Sequence, residues 1–163
     1  MENSNKLSYK AVVALGFLVY FFSYAMRLDY SASIVAIVSD LKITNTMASA
    51  AVTGSFITYG VGQVICGIIG DKISPTKMIS VAMLGTILIN LLVSFCSNIW
   101  VITALWCING VCQAMLWPPL ARFVSEQIGA ERYSNAITIV GLSASIGTIF
   151  VYLFVPVVLE LTI

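Results

Sequence analysis

Five runs of this 163-residue chain are each long and apolar enough to fill the ~20 residues of a bilayer-spanning helix, at about 11–38, 47–70, 78–96, 99–121 and 135–159. Nothing else in the sequence limits its fold so sharply. The runs are too long for strands and show no period-two alternation, so the expectation is an all-α, polytopic membrane helix bundle with five transmembrane helices. Composition agrees: 60% of residues are hydrophobic and 9% are charged, against about 25% charged in an ordinary soluble domain. So few charges cannot clothe a water-facing surface, and lipid is the expected solvent. Lys6 and Lys10 ahead of the first run imitate a secretory leader, but the run is too long for one and further spans follow, which predicts a retained first helix.

The same composition argues against whole classes of function. A net charge of +1 with no basic patch gives no reason to expect a nucleic-acid partner. There is no histidine, and Cys66, Cys96, Cys107 and Cys112 lie in apolar segments without a CxxC pair, so neither a metal, a cofactor nor a disulfide framework is expected. Serines and cysteines occur without a base, and no span pairs two carboxylates, so enzyme chemistry has no footing.

Polar residues collect in the links: "SDLKITNT", "DKISPTK", "SN" and "RFVSEQIGAERYS". With the N-terminus in the cytoplasm, the inner links hold Lys6, Lys10, Lys72, Lys77, Arg122 and Arg132, and the outer ones hold only Lys42. That bias predicts a multi-pass protein of the cell (plasma or inner) membrane with its N-terminus cytoplasmic. The odd number of spans and the close at "LELTI" carry the further expectation that the fold continues past residue 163.

One charge does not belong to a link. In "FFSYAMRLDYSAS", Arg27 lies ~24 Å along the first span at 1.5 Å per residue. An arginine at such depth costs from ~2.5 to over 10 kcal/mol, a cost tolerated where the side chain faces a watery cavity and meets an anion. Tyr20, Ser23, Tyr24, Arg27, Tyr30 and Ser31 follow one another at three- and four-residue spacing and form a polar, aromatic stripe. Asp29 stands about 200° around the helix from Arg27, so it points elsewhere. A structural salt bridge on another helix remains the alternative for either residue.

Further residues sit where a bundle would use them. Gly62, Gly67 and Gly70 thin one side of the second span for close helix approach. In the fifth span Gly141, Ala144, Ser145 and Thr148, with Gly147 beside them, form an expected packing face. Asn90 in the third span is expected to bond between helices, while Gln113, which shares a face of the fourth span with Asn109, is as much a candidate for the site as for such a bond. The tandem Pro118–Pro119 predicts a kink in the fourth span.

Two stretches carry a family resemblance. "GQVICGIIGDKISPTK" resembles the cytoplasmic loop signature of the major facilitator superfamily through Gly67, Asp71 and Lys72, with Lys77 as a later basic residue and Ser74 where the signature has glycine. "CINGVCQAMLWPPLAR" resembles the fourth helix of the organophosphate antiporter family, the sugar-phosphate and glycerol-phosphate carriers of that superfamily. Gln113, Trp117, Pro118, Pro119 and Arg122 fall in register, and Glu131–Arg132 follows.

The resemblance implies a partial N-terminal half of a major-facilitator-type fold, residues 1–163, in which a sixth helix and a C-terminal half are lacking. It implies a central site in which Arg27, Tyr24 and Tyr20 match family positions on the first helix and Tyr59 one on the second. It implies that Asp71, with Gly67, Lys72 and Lys77, forms a cytoplasmic gate loop against the other half. The chain departs from the family at Gln63, where a lysine is usual, and at Ser143, about where a histidine is usual. Both changes remove positive charge from the pocket. A phosphate dianion favours two or more cationic donors, whereas one forked guanidinium holds a carboxylate. The solute expected is therefore a small anion, an organophosphate or a carboxylate.

The function expected is secondary active transport of that anion by alternating access. Its substrate site comprises Arg27, Tyr24, Tyr20, Tyr59, Gln63, Gln113 and Ser143, and its partners are the solute, membrane lipid and the remaining transporter half. The alternative is a small self-associating or scaffolding membrane protein that uses its small-residue faces. A channel is the weakest option, since no span is polar enough to line a pore.

Overall fold

The structure, a computed structural model, describes residues 7–70 and 72–162. The expected residues Lys6 and Asp71 lie outside the described residues. The described residues form seven helices: α1 (Tyr9–Ala32), α2 (Ile34–Leu41), α3 (Asn45–Gly70), α4 (Pro75–Ser94), α5 (Ile99–Ala114), α6 (Trp117–Ile128) and α7 (Ala130–Thr162). Five stretches are long and apolar enough to cross a membrane, the fourth being α5 and α6 taken together over Ile99–Ile128. Among the described residues there is no strand.

The ends of the helices have local causes. The Ser8 Oγ accepts the Ala11 N–H at 3.3 Å to start α1, and the Asn98 Oδ1 accepts the Trp100 N–H at 2.9 Å to start α5. Pro75 opens α4, where its missing N–H is no loss. The first span bends at Ser33 and ends on Lys42, whose backbone is left-handed at φ 52°.

Tandem prolines break the fourth span as the sequence predicts. Without N–H groups, Pro118 and Pro119 cannot bond back to the preceding turn. The chain tightens ahead of them instead: the Met115 N–H donates to the Cys112 carbonyl at 3.1 Å and the Leu116 N–H to that of Gln113 at 3.2 Å. The polar stretch after the prolines, expected as a link, is a helix as far as Ile128, and only Gly129, at φ 79°, separates it from α7. Pro119, Leu120 and Val124 face the core while Ser125 and Glu126 stay exposed. The polarity there marks the outer face of an amphipathic helix, not a break in one.

Packing pairs α1 with α7 and α3 with α5, and lays α4 against α5 and α6. Small residues let both pairs close. A Cβ on Gly16 would stand 2.9 Å from a Val140 methyl, and one on Gly147 2.9 Å from the Phe21 carbonyl. Between α3 and α5, Gly54 faces the Cys107 sulfur, Gly62 the Ala114 methyl, and Gly110 the Ser55 carbonyl and Thr58 hydroxyl. The Thr58 Oγ1 also donates to the Cys107 carbonyl at 2.7 Å. Such contact replaces the hydrophobic drive that lipid cannot supply.

Two expected packing faces are corrected. Gly62 and Gly70 do meet neighbours, but Gly67 is exposed with no atom within 4 Å of where a Cβ would be. On α7 the buried stripe is Val140, Ser143, Ala144, Gly147 and Val151, and Ser145 is exposed. The expectation followed small residues alone, whereas the real stripe uses Val140 to fill the notch that Gly16 leaves.

Polar groups brace the core where α1, α4 and α5 meet. The Ser23 hydroxyl donates to the Gln113 Oε1 at 2.7 Å, and the Gln113 amide nitrogen donates to the Ser23 carbonyl and the Thr86 hydroxyl, each at 3.3 Å. The Asn90 amide nitrogen donates to the Met26 carbonyl at 3.1 Å and to the Thr86 carbonyl at 2.9 Å. Asn90 therefore bonds between helices as expected, and Gln113 does the same, while the buried Asn109 Oδ1 has no hydrogen-bond partner among the described residues.

Candidate functional site

The α1 stripe and the facing side of α3 make one continuous surface. Residue 27 stands within the first span, Tyr9–Ala32, five residues before its end. Its guanidinium carbon lies 3.9 Å from the centre of the Tyr59 ring, 5.2 Å from Phe56 and 5.8 Å from Tyr24. The first distance is that of a close cation–π contact, and the guanidinium keeps N–H donors available beside the ring. Among the described residues Arg27 has no ion pair and no hydrogen bond; the salt bridge there joins Arg122 to Glu126.

Aromatic residues extend the surface in both directions. The Tyr20 ring lies edge-on to that of Tyr24 at 5.0 Å and against the Trp117 indole at 4.6 Å. On α3, the Gln63 amide nitrogen donates to the Tyr59 hydroxyl at 2.8 Å. Arg27, Tyr24, Tyr20, Tyr59 and Gln63 thus form one connected group, held by the rigid α1 and α3.

Two expected members stand apart from it. Ser143 is fully buried and its hydroxyl donates to the Val140 carbonyl of its own helix at 2.6 Å. Gln113, 3% exposed, has both ends of its amide engaged in the α1–α4–α5 brace. Each is a structural group in this arrangement. Two residues join that sequence reasoning had not placed here. Phe56 is 53% exposed and flanks the guanidinium. Its signal was its position one turn before Tyr59. Trp117 was read for its place beside the prolines, yet its ring backs Tyr20.

The other expected site is the loop after α3. Lys72 and Lys77 are exposed, as is Gly67. Arg122 of α6 reaches across, its guanidinium donating to the Gly70 and Ile73 carbonyls while its Nε donates to Glu126 at 2.6 Å. A cation set on the last carbonyls of a helix caps it and complements its dipole. Among the described residues no group of His, Cys, Asp and Glu could hold a metal ion.

Chemically, the surface offers one cation in a rim of rings, with phenol and amide dipoles beside it. It can hold a small anion through the guanidinium edge and the rest of the solute against aromatic faces.

The family model described as "Major Facilitator Superfamily" matches residues 13–162. A probable hexose phosphate transport protein of Chlamydia trachomatis is 23% identical over 146 residues, 90% of this chain and 32% of that protein. The membrane sensor protein UhpC of Escherichia coli is 25% identical over 111 residues, 68% of this chain and 25% of that protein. A probable hexose phosphate transport protein of Chlamydia muridarum is 26% identical over 110 residues, 68% of this chain and 24% of that protein. The chain thus spans a third or less of the length of these relatives.

Proposed function

Since the chain belongs to the major facilitator superfamily and is a multi-pass membrane protein, we propose that it is part of the N-terminal half of a secondary transporter for a small anion, an organophosphate or a carboxylate. Arg27 anchors the anion, Tyr20, Tyr24, Tyr59 and Gln63 line its path, and a second bundle closes the site by rocking against this one. The loop of Gly67, Asp71, Lys72 and Lys77 faces the cytoplasm in this reading and meets the other half when the inner gate shuts, with the N-terminus inside the cell. The exposed surface around Gly67 leaves room for that contact.

One observation carries the reading: a guanidinium within a span, over the Tyr59 ring, with no salt-bridge partner among the described residues. A charge within a membrane span without a fixed counter-charge costs several kcal/mol, and an anion that visits the site offsets that cost.

The experiment is counterflow in vesicles containing the intact protein, with labelled glucose 6-phosphate, inorganic phosphate, and mono- and dicarboxylates as the panel. At least one anion should exchange. Arg27→Lys keeps the charge but loses the close guanidinium–ring contact, ~0.5–2 kcal/mol, and one charged hydrogen bond, ~1.5–3 kcal/mol. A combined ~2–5 kcal/mol corresponds to a roughly 30- to 4,000-fold weaker affinity. Normal affinity in that variant, or no exchange by any anion, overturns the reading.

Solute sensing is the second reading, favoured by the match to a relative named as a membrane sensor. It predicts anion binding that Arg27→Lys weakens, with no counterflow.

A further inference from the structure

The surface around Arg27 has a neutral end whose hydrogen bonds are incomplete. Tyr59 and Gln63 stand four residues apart on one face of α3. The Gln63 amide nitrogen donates to the Tyr59 hydroxyl oxygen at 2.8 Å. Neither side chain makes another hydrogen bond among the described residues. Both are half-buried, so each keeps part of its surface open beside the guanidinium.

The protons can be counted. A phenol has one O–H to give and two lone pairs to receive with. At Tyr59 one lone pair takes the Gln63 N–H, which leaves the phenol proton for a further acceptor. The Arg27 guanidinium carbon lies 3.9 Å from the centre of the same ring. An anion drawn to the guanidinium therefore brings its oxygens to the phenol as well. A hydroxyl that accepts one hydrogen bond also donates a stronger one. With its proton given to the anion, the phenol can only accept from Gln63. That fixes the amide: its nitrogen stays on the phenol, and its oxygen turns away from it.

The Gln63 Oε1 is then an acceptor next to an anion-binding edge. It repels the anionic oxygens and calls for a donor. A lysine in the same place would present donors alone, whereas the amide presents a donor and an acceptor. We propose that Gln63 reads a hydroxyl group of the solute, so that the site takes anions hydroxylated near their charged group in preference to their deoxy counterparts. This deepens the transport reading above and rests on its placement of the anion at Arg27. Arg27 and Tyr59 donate to the anionic oxygens, and the solute hydroxyl donates to the Gln63 Oε1. The two reading points are one amide group apart, a separation spanned by a hydroxyl on the carbon next to the charged group or on the one after it. A solute without that hydroxyl leaves the acceptor unpaired when water is excluded.

The test is equilibrium binding to the intact protein in lipid nanodiscs. The probes are matched pairs: lactate with propionate, glycerol 3-phosphate with 3-hydroxypropyl phosphate, and glucose 6-phosphate with 4-deoxyglucose 6-phosphate. In the wild type at least one pair should bind, with the hydroxylated member at least about fivefold tighter. Gln63→Met, of similar length but without the amide, should bring that ratio to within about twofold. Tyr59→Phe should weaken both members of the pair alike, because its O–H meets the anion. Equal affinities within every pair that binds overturn the proposal, as does a preference that survives Gln63→Met. A loss in Tyr59→Phe confined to the hydroxylated member assigns the hydroxyl to Tyr59 and overturns it too. Binding of no probe, or binding that Arg27→Lys leaves unchanged, sinks the transport reading itself and the proposal with it.

Discussion

Gly110 lies at the tightest point of the α3–α5 seam, and replacing it with alanine tests how that seam is built. A Cβ there would come within van der Waals overlap of the Ser55 carbonyl oxygen and the Thr58 hydroxyl. The first is backbone, so no rotamer change relieves it; α3 must move away by roughly 1 Å. That movement breaks the 2.7 Å bond from Thr58 to the Cys107 carbonyl. Overpacking of this kind costs ~1–3 kcal/mol, the interhelical bond adds ~0.5–2 kcal/mol, and alanine returns up to ~1 kcal/mol of helix propensity. The net expectation is destabilisation by about 0.5–5 kcal/mol, read from the midpoint of unfolding in mixed detergent. Thr58→Ala alone should lose only the bond. The double variant should lose less than the sum, because Gly110→Ala has already broken that bond. Gly60→Ala and Gly67→Ala, on the facing helix α3 with empty space where the Cβ goes, should be neutral or slightly stabilising. A Gly110→Ala protein as stable as these two would refute close contact as the origin of the α3–α5 pairing.

Other substitutions separate structural from functional polar groups. Gln113→Leu strands the Ser23 and Thr86 hydroxyls in the core and should cost ~1–3 kcal/mol of stability, while leaving anion affinity within threefold in a binding assay. Tyr59→Leu removes the ring beneath the guanidinium and should weaken anion binding by about 2- to 30-fold, from ~0.5–2 kcal/mol of cation–π energy. Arg122→Gln takes a cation from the Gly70 and Ile73 carbonyls. Amide exchange should accelerate around residues 68–74 while global stability changes little, since the exposed pair with Glu126 is itself worth ~0–1 kcal/mol.

The spans, their number and the proline break were legible in the chain, because bilayer thickness sets helix length and proline lacks an N–H. The 122–134 stretch was not: its charges mark the wet face of α6, and only three-dimensional packing distinguishes that from a loop. The Arg27 stripe was readable from three- and four-residue spacing on one helix. Its joining to Tyr59 and Gln63 across α3 was suggested by family resemblance, since spacing on one helix says nothing of the next. Phe56 escaped because an apolar ring in an apolar helix carries no signal of its own. Ser143 and Gln113 were drawn into the site for their polarity, but hydroxyl and amide groups within a membrane bundle are as readily consumed by neighbouring backbone and side chains. Asp29 was recognised as facing away from Arg27, while the crevice it lines beside Asn90 and Trp106 depends on how α4 and α5 lie against the bend at Ser33.

The most direct measurement is a density map of the intact protein with a transported anion bound. The account predicts the anion's oxygens at hydrogen-bonding distance from the Arg27 guanidinium edge, with the Tyr59 ring beneath it. A guanidinium closed against a permanent carboxylate partner, with the anion bound elsewhere, would contradict it.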